Sequence, residues 1–100
     1  MSFSNLKSVT KTADAAAISG RTRVVGVYYT CTGTASSFSL RNGTGNTDDA
    51  LVTIYSPAAA GATDLHIPDM GVLFDSGVYV DVADGNIESV TLFFEGGAAA

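Results

Sequence analysis

The sequence predicts a single all-β domain, an antiparallel β-sandwich of seven or eight short strands, of jelly-roll type or, as the alternative, an immunoglobulin-like Greek key. Segments rich in Val, Ile, Thr, Tyr and Phe recur at roughly ten-residue spacing between Arg21 and Glu95. Most of them alternate apolar and polar residues, the period of a strand with one buried face. Clusters of Gly, Pro, Asn and Asp separate them, and no stretch carries the helical period that crossover connections between parallel strands would need. At 100 residues, 46% of them apolar, the chain can bury one core and leaves no room for a second.

Along the chain, residues 1–20 read as an N-terminal arm. Leu6, Val9 and Ile18 are isolated apolar points among Ser, Thr, Lys and Ala, with a first edge strand expected near Leu6 to Thr10. A helical turn over Lys11 to Ala17 is the other local option, too short to be stable unpacked. The domain proper is expected over residues 21–95. Arg21 to Thr32 is dense in β-branched and aromatic residues. Strict alternation puts Val25, Val27, Tyr29 and Cys31 on one face and Val24, Gly26, Tyr28 and Thr30 on the other. With apolar groups on both faces the strand should be central or covered, and Gly26 marks a bulge or a close backbone approach.

Ser36 to Asn42 then alternates, with Phe38 and Leu40 inward, and the cluster Asn42-Gly43-Thr44-Gly45-Asn46 turns the chain. Asp49 to Ser56 sets Leu51, Thr53 and Tyr55 against Val52 and Ile54, and Pro57 ends it because proline lacks a ladder donor. Asp64 to Ile67 is a short strand stopped by Pro68. Met70 to Phe74 and Val78 to Val82 flank the hairpin-like turn Asp75-Ser76-Gly77. Ile87 to Glu95 closes the fold with Val90, Leu92 and Phe94 on one face and Phe93 on the other. Residues 96–100, Gly-Gly-Ala-Ala-Ala, read as a disordered tail.

Chemistry-bearing patterns are sparse, and no enzymatic activity is expected. His66 is the single imidazole, with Asp64 two residues away on the same strand face but no nucleophile turn of the Gly-x-Ser-x-Gly kind. Cys31, the single cysteine, can form neither an internal disulfide nor a zinc site with one histidine, and its apolar strand context predicts a buried, inert thiol. The oxygen-rich loop Gly43 to Asp49 lacks the spacing of a calcium loop. Gly43-x-Gly45 lacks the third glycine and helix of a dinucleotide site. No cofactor and no metal are expected.

The net charge of −5 argues against nucleic acid as a partner, since phosphate binding needs clustered Lys and Arg. No stretch has the length and hydropathy of a membrane span, and the N-terminus lacks the apolar core of a secretion signal, so a soluble protein made in the cytoplasm is expected. Charge is unevenly placed. All five basic residues (Lys7, Lys11, Arg21, Arg23, Arg41) lie within the first 41 positions, and nine of the ten acids follow from Asp48 to Glu95. A basic edge of one subunit could thus meet an acidic edge of the next. Val24, Tyr28, Tyr79 and Phe93 sit opposite their main apolar rows, and such a surplus points to a surface covered by other subunits.

Five phrases follow one another in order: Arg21-Thr22-Arg23-Val24-Val25-Gly26-Val27-Tyr28-Tyr29, Ser39-Leu40-Arg41-Asn42-Gly43, Ile67-Pro68-Asp69-Met70-Gly71-Val72-Leu73-Phe74, Gly77-Val78-Tyr79-Val80-Asp81 and Val90-Thr91-Leu92-Phe93-Phe94. The succession, over about residues 18 to 96, resembles the small virion structural proteins of tailed bacteriophages, particularly of marine and cyanobacterial phages. The resemblance implies a capsid decoration or cement protein on the virion surface. It implies a homotrimer that stabilises the head by binding the major capsid protein. A tail or head-fibre module that binds a receptor or carbohydrate is the alternative, through Tyr28, Tyr55 or Tyr79, though the chain lacks a collagen-like or coiled-coil stalk. Strand-face parity nominates Arg21, Arg23, Tyr28, Tyr79 and Phe93 as interface residues.

Overall fold

The computed structural model describes residues 6–100. Eight antiparallel strands form one hydrogen-bonded sheet, and the described residues contain no helix. The strands are β1 (Lys7–Lys11), β2 (Ala15–Cys31), β3 (Ser37–Asn42), β4 (Ala50–Tyr55), β5 (Gly61–His66), β6 (Val72–Phe74), β7 (Gly77–Val82) and β8 (Ile87–Ala99). The all-β antiparallel class is therefore as the sequence predicts.

The long strands β2 and β8 organise the sheet. β8 pairs along almost the whole of β2, from Ile18 opposite Ala99 to Cys31 opposite Ile87, and β1 pairs the far side of β8. The other edge of β2 is shared out along its length. Ala15 to Ser19 pair with β7, Thr22 to Val24 with β6, and Gly26 to Cys31 with β5. β7 passes the sheet on to β3, and β3 to β4.

Where β2 and β8 cross between these neighbourhoods, both strands bend. Two residues of β2, Gly20 and Arg21, oppose the single Gly97 of β8, which makes a bulge. Gly20 and Gly97 both take left-handed φ there, at 84° and 60°, and a Cβ at Gly97 would meet Ile18 Cγ2 at 2.7 Å. Thr22 is buried at the bend, and its Oγ1 donates to Glu95 O at 2.9 Å. One inner face thus continues through the bend, and its apolar residues form one core cluster: Val24, Val27, Tyr29, Leu92 and Phe94 from one portion, Ile18, Phe38, Leu40, Val78 and Val80 from the other. The molecule measures 42 × 33 × 20 Å, and its short axis is the depth of two packed sheet layers about 10 Å apart, compatible with the predicted sandwich.

Several expectations are corrected. The arm of residues 1–20 falls partly outside the described residues. Within them, the edge strand expected near Leu6 to Thr10 is present as β1, and Ala15 to Gly20 belong to β2 with no helical turn. The tail of residues 96–100 is also strand as far as Ala99, and Ala100 N–H donates to Ala17 O at 2.9 Å. Alanine and glycine favour strands weakly, but strand preference is mostly a matter of fitting the neighbours. Here only small side chains and left-handed glycines fit the bend, so the ladder overrides composition.

A third correction concerns Val24, predicted to be surplus on the outer face. It is fully buried, because the β2–β8 register slips between Val24 and Gly26 and reverses the alternation there. Gly26 marks both features foreseen for it, the bulge and a close approach: a Cβ there would touch Leu65 O and Phe93 Cδ2, each at 3.4 Å. β6 begins at Val72 and not at Met70, since Asp69, Met70 and Gly71 take consecutive left-handed φ values of 57°, 67° and 80°.

A candidate interaction surface

The outer face over β1, β8, β2 and β5 is built in cross-strand rows, because residues directly opposite in a ladder project to the same side. One row runs Thr10, Thr91, Tyr28, Asp64, and the next Ser8, Phe93, Gly26, His66. The Thr10 and Thr91 hydroxyls hydrogen-bond at 2.7 Å, and those of Thr30 and Ser89, further along the same face, at 2.6 Å. Tyr28 is 39% exposed. Phe93 is half-buried because Gly26, having no side chain, lets its ring settle onto β2. Arg23 lies on this face opposite Glu95 and Leu73, and with the exposed Arg21 it lines a shallow cleft at the bend.

Tyr79 does not join them. It lies on the outer face of the other portion, between Ala16 and Arg41 and half-buried. Arg41 there pairs with Asp81, its Nη2 2.8 Å from Oδ2, and donates from Nη1 to Asp48 O at 2.9 Å. So Arg21, Arg23, Tyr28 and Phe93 share one face and Tyr79 the other. Tyr28, Tyr55 and Tyr79, on β2, β4 and β7, share no cross-strand row.

Of the other chemistry-bearing residues, Cys31 and Asp48 are held in structural roles. Cys31 is 2% exposed, and its Sγ donates to Ala59 O at 3.4 Å. His66 and Asp64 are exposed on β5. Asp48 Oδ2 accepts the Gly45 N–H at 3.0 Å, so this carboxylate closes its own turn. Among the described residues no group of three His, Cys, Asp or Glu side chains is placed to hold a metal ion, and no helix is long and apolar enough to cross a membrane.

A broad depression of about 680 Å³ lies between the β1–β2 and β7–β8 connections, lined in part by Asp14, Asp84 and Glu88. Asp14 Oδ1 accepts the Val82 N–H at 2.7 Å. Asp84 Oδ1 accepts the Asn86 N–H at 2.9 Å and the Ser36 hydroxyl at 2.8 Å. The Asn86 N–H first, then the Ser36 hydroxyl, hold the Asp84 carboxyl below its ordinary 3.8. Since the folded pKa is depressed, the contribution of this turn to stability is present above 3.8 and lost as pH falls through the lower folded value. An NMR titration is expected to place the Asp84 midpoint below 3.8 and to bring it back towards 3.8 in Ser36→Ala. Identical midpoints in the two proteins would show that the Ser36 bond does not hold the carboxylate in solution.

No protein-family model, curated protein or solved structure matches the chain. What the surface can do rests on its own geometry.

Two large residues missed by the interface nominations are Leu51, 45% exposed, and Tyr55, 76% exposed. The alternation of β4 puts them on one face with Thr53, yet the sequence carries no signal that β4 would end the sheet.

Proposed function

We propose that this protein is a non-enzymatic component of a phage particle. In this reading it is a capsid decoration protein that binds as a homotrimer across neighbouring major capsid subunits. The observation that carries the reading is the outer face over β1, β8, β2 and β5, which gathers Arg21, Arg23, Tyr28 and Phe93 on a rigid ladder with a hydroxyl-rich surround. Interfaces are enriched in Tyr, Phe and Arg, whose large, stiff side chains bury area at little entropic cost.

The strand order supports the reading by analogy of fold. With β2 counted as two strands at its bend, the orders β1-β8-β2-β5 and β2-β7-β3-β4 are compatible with a jelly roll, an architecture used by viral capsid and lectin domains. Tyr79 would serve a second contact on the opposite face, as a protein clamped between capsid neighbours requires.

Light scattering across a concentration series is expected to give a mass built on the trimer, three times 10.2 kDa or a whole multiple of that. Tyr28→Ala is expected to weaken the trimer without lowering the melting temperature by more than about 3 °C, since a partly exposed side chain adds little to the fold. A monomer at every concentration would overturn the trimer. It would turn attention to the receptor-binding alternative, for which glycan binding lost in Tyr28→Ala is the readout.

A further inference from the structure

We infer that the free edge of β4 pairs with β4 of a second copy, antiparallel about a two-fold axis centred on Thr53. β4 ends the sheet and pairs with β3 alone among the described strands. An open edge offers unpaired backbone groups, and proteins usually blunt it with charges, proline, bulges or very short strands. The other open edges are blunted in this way. β1 carries Lys7 and Lys11, β5 carries Asp64 and His66, and β6 has three residues. β4, Ala-Leu-Val-Thr-Ile-Tyr, has no charge, and its one bulge, at Leu51, leaves Val52 to Tyr55 in regular register.

The hydrogen-bond phase says which groups are free. Ser56 N–H donates to Ser36 O at 2.8 Å, just beyond the ladder in which Ser37 opposes Tyr55. Bonded and non-bonded pairs alternate along an antiparallel ladder, so the backbone groups of Ile54 and Val52 point to β3. Those of Thr53 and Tyr55 point away, and Leu51 is the extra residue of a bulge, since Leu40 opposes Val52 and Arg41 opposes Ala50.

A second β4 centred on Thr53 satisfies the Thr53 groups. Thr53 meets its own copy, Leu51 meets Tyr55 of the other chain, and Tyr55 meets Leu51. The Thr53 pair is a bonded pair in this phase. The side chains match as well. The outer row brings together Leu51 and Tyr55, two of the five large apolar residues left exposed among the described residues. The inner row sets Val52 against Ile54 of the second copy. Both are partly buried residues that already pack on the core, so pairing continues it across the axis. Other self-registers of like spacing leave one of the exposed pair uncovered, and registers shifted by one residue put inner residues opposite outer ones.

This contact uses the edge of β4 and not the outer faces of β2 and β8, so it stands or falls apart from the trimer. Two variants test it. Thr53→Lys sets two ammonium groups opposite each other at the axis, and like charges directly opposed destabilise a ladder. Thr53→Cys brings two thiols together where bonded-pair Cα atoms lie about 5.5 Å apart, within disulfide range. Cys31, buried, does not compete.

The wild type is expected to show an even-numbered assembly by light scattering, a dimer or a pair of trimers. Thr53→Lys should halve that mass with an unchanged far-UV circular dichroism spectrum. Mild oxidation should convert Thr53→Cys into a covalent dimer on a non-reducing gel. A mass untouched by Thr53→Lys, together with no covalent dimer from Thr53→Cys, would overturn the pairing. A trimer behaving in that way would leave the proposed function standing, whereas a simple dimer halved by Thr53→Lys would keep the edge contact and remove the trimer.

Discussion

Gly71→Ala is expected to destabilise the protein by about 3 kcal/mol or more, the sum of two separate costs. Gly71 has φ of 80°, a left-handed conformation that costs an alanine about 1–2 kcal/mol. Its missing side chain is also what lets the Asp69–Gly71 turn lie against β2. A Cβ would fall on the Val24 carbonyl oxygen and come within 2.7 Å of the Val24 carbonyl carbon. Those are backbone atoms of a fully buried residue held between β6 and β8, so neither can give way without breaking a ladder. For a domain of this size the loss corresponds to a melting temperature lower by about 15 °C. Gly33→Ala is the control, since no heavy atom lies within 4 Å of its built Cβ, and it should stay within about 0.5 kcal/mol of wild type. Equal melting of wild type and Gly71→Ala would mean that the loop does not sit on β2 in solution.

The second large effect compares neighbours in sequence. Phe94→Ala should cost about 3–5 kcal/mol, a large share of the stability of an ordinary small domain. Phe93→Ala should cost about 1 kcal/mol, because its ring rests on one strand and is half exposed to water. Phe94 is fully buried, stands opposite Val24 and Lys7, and has the Lys7 ammonium 6.0 Å from its ring centroid. Removing its ring leaves a cavity that two long, doubly paired strands cannot collapse to fill. Urea unfolding of the two variants measures the difference directly. The opposite ranking would mean that β8 is paired one residue out of register, with its outer face turned in.

The ranking of those two phenylalanines is legible without coordinates. Alternation over Ile87 to Glu95 separates Phe93 from Val90, Leu92 and Phe94, and the same reasoning assigns Phe38, Leu40, Val78 and Val80 to the core. Period-two patterning works over Val90 to Phe94, Phe38 to Leu40 and Val78 to Val80 because the bulges in their ladders put the extra residue on the partner strand. It fails at Val24, where a bulge of one residue reverses the alternation and turns a predicted surface valine into core. A bulge is a relation between two strands, and a single strand's sequence hints at it only through Gly26.

The candidate surface divides in the same way. Tyr28 and Phe93 stand out from sequence as apolar residues on the wrong face, but that Tyr79 lies on the opposite face depends on how β2 and β8 bend. The prominence of β4 was hidden altogether. Its composition, Ala50 to Tyr55, would suit a central strand just as well, and only the sheet order leaves its far edge open.

By itself, then, the sequence determined the all-β class, most of the turns between strands and the core face of most strands, because turn residues and alternation act over a few neighbours. The tertiary structure decided that Ala15 to Gly20 and Gly96 to Ala99 are strands at all, where β2 and β8 bend, and which edge is exposed. The first two features come from pairing residues about 60 to 80 positions apart, as Ala15 with Val80 and Thr22 with Gly96, and from bends that only small residues fit. Long-range partners of that kind leave no local period to read.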